Sequence, residues 1–99
     1  MKPKFSLRTP HGDSYTIMDG GEIQRDDGHN TASASWRLVG LQHVRRREFI
    51  PFSQLGNRLH EIGRYKNGKP QWTVRDFDHG TIREWGNTEH HGVAWLVPA

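Results

Sequence analysis

Ser35-Trp36-Arg37-Leu38-Val39-Gly40-Leu41-Gln42-His43-Val44 is the longest unbroken strand signal in the chain. Alternation places Trp36, Leu38 and Val44 on one face and Val39 and Leu41 on the other. Both faces are apolar, so both need cover, and the segment reads as a central strand. Shorter strand signals flank it. Lys4 to Arg8 alternates until Thr9-Pro10-His11-Gly12 breaks it. Ser14 to Met18 is rich in rings and β-branched residues, and Asp19-Gly20-Gly21 turns the chain back into Glu22 to Arg25. Residues 26–34 read as a polar loop, and Phe49 to Phe52 as a short apolar piece. In the last third, Arg64-Tyr65-Lys66 leads into an Asn67-Gly68 turn. Pro70 to Phe77 and Thr81 to Trp85 then flank Asp78-His79-Gly80, and Val93 to Val97 closes the run.

One helix is expected, over 53–62. Ser53 can cap it, Leu55, Leu59 and Ile62 recur at helical spacing, and Gly63 can end it. Gly56 weakens it by about 1 kcal/mol relative to alanine. The expected fold is therefore mainly β, a β-rich α+β chain. It is drawn as a small antiparallel sandwich or barrel of six to seven strands with one short helix, in a single domain over 1–99. Asp19-Gly20-Gly21-Glu22-Ile23 also aligns with Asp78-His79-Gly80-Thr81-Ile82, and Trp36 with Trp95. A pseudo-repeat of 12–40 and 68–98 joined by 41–67 follows from that alignment, although hairpin turns share Gly and Asp for local steric reasons.

Composition narrows the function classes. Among 99 residues, 14 Lys+Arg against 11 Asp+Glu leave a net charge of +3, too small for a charge-extended disordered chain. Four Trp, four Phe and two Tyr supply bulky rings for a core. Zero Cys removes disulfides, thiol nucleophiles and cysteine-based metal sites. No apolar run is long enough to cross a membrane or to follow Met-Lys-Pro-Lys as a secretory leader, and a cytoplasmic protein is expected. Ten of the 14 cations are Arg, which grips phosphate or carboxylate bidentately and stacks on rings.

That bias points to an anionic partner. Alternation places Arg37, His43 and Arg45 on one strand face, with Arg46 and Arg47 beside them. Arg75 and Arg83 flank the second hairpin, and Trp36, Trp72 and Trp85 lie near enough in sequence to stack a ligand ring. A guanidinium taking the anion while an indole stacks the base suits a nucleotide or another phosphate-bearing molecule. The expected function is a non-catalytic binding protein with no cofactor, for an anionic small molecule or an acidic or nucleic-acid surface. Self-association into a homodimer is expected for so small a core. Small accessory or inhibitor proteins, including virus-encoded ones, share this profile. A protein–protein inhibitor module without a small-molecule pocket is the alternative.

Two further clusters carry chemistry. Asp76 and Asp78 share a strand face about 7 Å apart, a spacing that lets them share a cation, and His79 follows them. Against that metal reading, Asp78-His79-Gly80 is also what a hairpin turn requires. The His90-His91 pair lacks the spacing of a three- or four-ligand metal site. The triplets His29-Asn30-Thr31 and His79-Gly80-Thr81 resemble the paired His-x-Ser/Thr signature of the two-histidine phosphoesterases. That resemblance implies His29 and His79 as acid and base on a phosphodiester, a second alternative. Here both triplets fall in turns or loops, whereas that family sets them in apolar strands.

Overall fold

The computed structural model describes residues 2–28, 30–62 and 69–99. His29, Gly63, Arg64 to Lys66 and the Asn67-Gly68 turn lie outside them. Among the described residues, eight strands form two four-stranded antiparallel sheets. β1 (Pro3–Arg8), β2 (Ser14–Met18), β3 (Ile23–Arg25) and β8 (Trp95–Pro98) make the first, ordered β3-β2-β1-β8. β4 (Arg37–His43), β5 (Phe49–Pro51), β6 (Trp72–Asp78) and β7 (Thr81–Glu84) make the second, ordered β5-β4-β6-β7. The chain is mainly β, but its strands are divided between two sheets rather than gathered in a single six- to seven-strand sandwich or barrel.

Among the described residues, three short helices stand where one was expected. The 53–62 stretch is a 3₁₀ helix (Phe52–Asn57) and a four-residue α1 (Leu59–Ile62), separated by Arg58. Pro51 occupies the cap position and no side chain caps the first turn, so Ser53 does not play the role its type suggests. The third helix, α2 (Thr88–His91), begins where Asn87 takes φ +45° and its side chain accepts from the Glu89 N–H. Asn is among the few non-glycine residues that tolerate that conformation.

β4 is central, as its two apolar faces require, yet its alternation is interrupted. The register with β6 slips between Leu38 and Gly40, so Leu38 and Leu41 both reach the buried side. The slip breaks the expected stripe of Arg37, His43 and Arg45. Arg37 is exposed opposite Phe77, while His43 packs edge-on against Trp72 with ring centroids 4.8 Å apart.

The sheets meet at a corner near Trp36. Leu38 N–H donates to the Gly21 carbonyl at 2.8 Å, and Ile23 N–H donates to the Trp36 carbonyl at 3.2 Å. Gly21 sits at φ +94°, which a side chain would rarely adopt. The stretches compared by alignment contribute to both sheets: β2–β3 lies in the first with β4 in the second, and β6–β7 in the second with β8 in the first. β1 stands between β2 and β8, whereas β4 pairs β6 directly.

Leu7, Ile17 and Leu96 from the first sheet and Leu41, Ile50 and Val74 from the second belong to one sealed core, joined by Leu55 and Ile62. Each such side chain contributes roughly 1.5–3 kcal/mol by leaving water. On the opposite face of the second sheet the Phe49 ring lies across Gly40. A Cβ there would collide with that ring and with the Ile50 carbonyl. Gly40→Ala is expected to lower the unfolding free energy by about 1–3 kcal/mol. Urea denaturation measures it, and an unchanged midpoint would contradict the packing of Phe49 on Gly40.

Candidate functional site

β6 sends Trp72, Val74, Asp76 and Asp78 to the inner side of its sheet, and all four are buried. Two acids on an otherwise apolar face must find donors, because an unpaired buried charge is very costly. Asp76 is fully sealed. Its Oδ2 accepts from Trp36 Nε1–H at 2.7 Å, Trp85 Nε1–H at 2.8 Å and Arg83 Nη2 at 2.9 Å. Its Oδ1 accepts from Arg83 Nε at 3.2 Å. Asp78 Oδ1 accepts from the Ser33 N–H at 2.8 Å and the Ser33 hydroxyl at 2.6 Å, and its Oδ2 lies 3.1 Å from Arg83 Nη2 and 3.2 Å from His79 Nδ1.

The cation that lies between Asp76 and Asp78 is the Arg83 guanidinium. It reaches both because Arg83 sits directly across from Asp76 in the β6–β7 ladder. Among the described residues no group of three metal-ligating side chains occurs.

The two indoles tied to Asp76 stack, with centroids 6.5 Å apart and planes at 28°. Tyr15 of β2 meets Trp36 edge-on at 5.9 Å and Trp85 at 5.1 Å. Burial pushes the Tyr15 hydroxyl pKa up, and Asp13 adds to that, so the hydroxyl keeps its proton as a donor. A cavity of about 300 Å³ opens beside these rings, lined by Tyr15, Trp36, Trp85, Arg83, Glu84 and His91. A second, of about 180 Å³, shares Tyr15, Trp36 and Arg83 and continues to Arg25, Asn30 and His79. Together they form one cleft at the corner where the sheets join.

Of the residues singled out in the sequence, Trp36, Trp85, Arg83, Asp78 and His79 meet in this cleft, with Asp76 sealed behind it. The remaining ones go elsewhere. Trp72 is 1% exposed and offers no face to a ligand. Arg75 points to the opposite side of the sheet and pairs with Glu84 at 3.5 Å. Arg45, Arg46 and Arg47 form an exposed bend beyond β4, roughly 20 Å from Arg37 at strand rise. There Arg46 pairs with Glu48 at 3.4 Å, and the His43 Nδ1 accepts from the Arg45 and Arg46 backbone N–H groups. Burial, with Arg46 and Arg45 nearby, pulls the His43 pKa down against the opposing Glu48. The arginines of the expected single patch are thus divided among the cleft (Arg83), the opposite side of the sheet (Arg75) and the bend after β4 (Arg45 to Arg47). His79 is exposed against Asp78, while His29 lies outside the described residues, and the two-histidine pairing with it.

Tyr15, Arg25, Ser33 and His91 were not anticipated as site residues. Ser33 reaches Asp78 across 45 positions, and no local pattern signals that contact. Comparison with protein families, curated proteins and solved structures finds no match for this chain.

Asp76→Ala removes the acceptor of two indoles and a guanidinium, and about 3–5 kcal/mol of stability is expected to go with it. Thermal and urea unfolding measure the loss, and a change below about 1 kcal/mol would contradict the network. Asp78 gives a pH signature. Burial pushes its pKa up, but the two Ser33 hydrogen bonds, with His79 and Arg83, outweigh that and hold it below the ordinary 3.8. Its folded pKa is depressed, so its stabilisation is fully present above 3.8 and is lost as pH falls through the lower folded value. Ser33→Ala should be less stable at neutral pH and lose less on acidification. An unchanged acid loss would count against the contact.

Proposed function

We propose that the protein is a non-catalytic binding domain that takes an anionic ligand, a nucleotide or another phosphate-bearing molecule, in the cleft along Tyr15, Trp36 and Trp85. The observation that carries this reading is the placement of Arg83 on the same wall as the half-exposed Trp85. A ring can rest on the indole while its anionic group meets a guanidinium. Arg83 is held by its Nε and Nη2. Among the described residues its Nη1 has no acceptor, so part of the five-donor fork stays open for a ligand oxygen.

Charge sets a condition on this reading. Arg83 with two ionised aspartates is net negative, so anion affinity depends on Arg25, His79 and His91 around the rim. Arg25 already pairs with Asp27 at 3.1 Å in an exposed contact, which is weak and readily exchanged for a ligand. The small Arg83–Asp76–Asp78 unit fixes the geometry, and the rim supplies the attraction.

Titration with AMP, ATP and inorganic phosphate, followed by tryptophan fluorescence and calorimetry, tests this. A nucleotide is expected to quench fluorescence and to raise the melting temperature by binding the native state. Arg25→Ala should weaken it roughly tenfold, the equivalent of about 1.4 kcal/mol. Absence of binding by every member of the set at low salt would overturn the reading and leave the interaction-module alternative.

A further inference from the structure

The geometry points to a zinc site of two histidines, His11 and His90, where the β1–β2 turn meets α2. The two residues lie 79 positions apart, yet Nδ1 of one faces Nδ1 of the other at 3.3 Å. Their rings meet edge-on with centroids 5.2 Å apart, and both side chains are exposed. A neutral imidazole carries one N–H and one lone pair, so in the protein alone a single proton bridges these nitrogens. A metal ion engages the lone pairs of both.

The spacing suits zinc. Two nitrogens on one tetrahedral Zn²⁺, each about 2.0–2.1 Å from the metal, stand about 3.3–3.4 Å apart. The ion lies off the line between them, so each ring has only to turn about its exposed side-chain bonds until the lone pairs converge. The nitrogens need not separate. Both ring protons then sit on Nε2, and the two Nδ1 atoms replace two of the waters that hydrate the ion. Water keeps the remaining positions, because among the described residues no third metal-ligating side chain joins the pair. Imidazole is a preferred ligand of zinc, whereas magnesium takes oxygen ligands and gives up its water reluctantly.

Each ligand stands on backbone already fixed by hydrogen bonds. Around His11, Thr9 N–H donates to the Asp13 carbonyl at 3.0 Å and Gly12 N–H to the Thr9 carbonyl at 3.1 Å. Asp13 N–H donates to the hydroxyl of the buried Thr9 at 3.2 Å. Around His90, the Asn87 carbonyl accepts from the His90 and His91 N–H groups at 3.0 and 2.8 Å. Just past α2, Val93 N–H donates to the Trp72 carbonyl at 2.9 Å. Little backbone ordering therefore remains to oppose binding. His91 lines the cleft instead, its ring centroid 6.2 Å from that of His90, so the pair adjacent in sequence is not the pair that binds. Neither His11 nor His90 lines the cleft, and the inference stands without the anionic ligand. Bound zinc clasps a turn of the first sheet to the helix that packs on β6 of the second. Only the folded chain brings the two rings together, so the ion binds and stabilises the native state.

Zinc chloride titrated into the chelator-treated full chain, in a buffer that does not bind metal, tests this by calorimetry and thermal unfolding. One zinc per chain is expected, with a rise in melting temperature that magnesium at the same concentration does not give. His11→Ala and His90→Ala should each weaken zinc binding roughly tenfold or more and abolish that rise. Both positions are exposed, so both variants should keep the circular dichroism spectrum of the unaltered protein. His91→Ala should bind zinc as the unaltered chain does. Absence of zinc binding by the unaltered protein would overturn the proposal. Undiminished binding in His11→Ala or His90→Ala would also do so, as would a loss in His91→Ala equal to theirs.

Discussion

A carboxylate held in the protein interior is the constraint around which the rest arranges itself. Asp76 has no contact with water, and transferring such an ion from solvent costs several kcal/mol unless donors replace its hydration. Two indole N–H groups and a guanidinium do so. They come from the residue before β4, the residue after β7, and β7 itself. None of the three can drift without orphaning the ion. The stacking of Trp36 on Trp85, the inward turn of Arg83 and the closeness of β7 to β6 therefore follow from one buried charge. Asp78, bonded to Ser33, extends the same logic to the long loop before β4.

Rigidity at this point has a functional consequence. The cleft lies where the first sheet, through Tyr15, meets the second through Trp36 and Trp85. Its walls are fixed by hydrogen bonds rather than by apolar packing alone, so little ordering remains when a ligand enters. The rim differs: Arg25, His79 and His91 are half-buried or exposed and can adjust. In the function proposed above, a preorganised floor with an adaptable charged rim would receive a planar group bearing an anion. At the far end of β4, the Arg45 to Arg47 bend shows how misleading charge density in the sequence can be. Its cations sit on a solvated turn braced by His43 and Glu48.

Much of the fold was legible because it is local. Period-two alternation located most strands, and the Gly-containing turns at 19–21 and 79–80 located two hairpins. What escaped was non-local or a single-residue irregularity. The slip between Leu38 and Gly40 reversed the facing of half a strand, and with it the fate of His43. Helical spacing over 53–62 was real, since Leu55 and Ile62 are both buried, yet Arg58 ion-pairs with Glu48 and Glu61 at the break between two short turns. The site could have been suspected from one pattern: two aspartates on the strand face that also carries Trp72 and Val74. Their partners, some 40 residues away for Trp36, could not be read from spacing.

Tryptophan indole signals report on the buried carboxylate most directly. In a ¹H–¹⁵N spectrum, the Nε1–H resonances of Trp36 and Trp85 should lie downfield and exchange slowly with water, and both should move together in Asp76→Asn. Fast exchange of both indole protons in the unaltered protein, with no response to that substitution, would contradict the account.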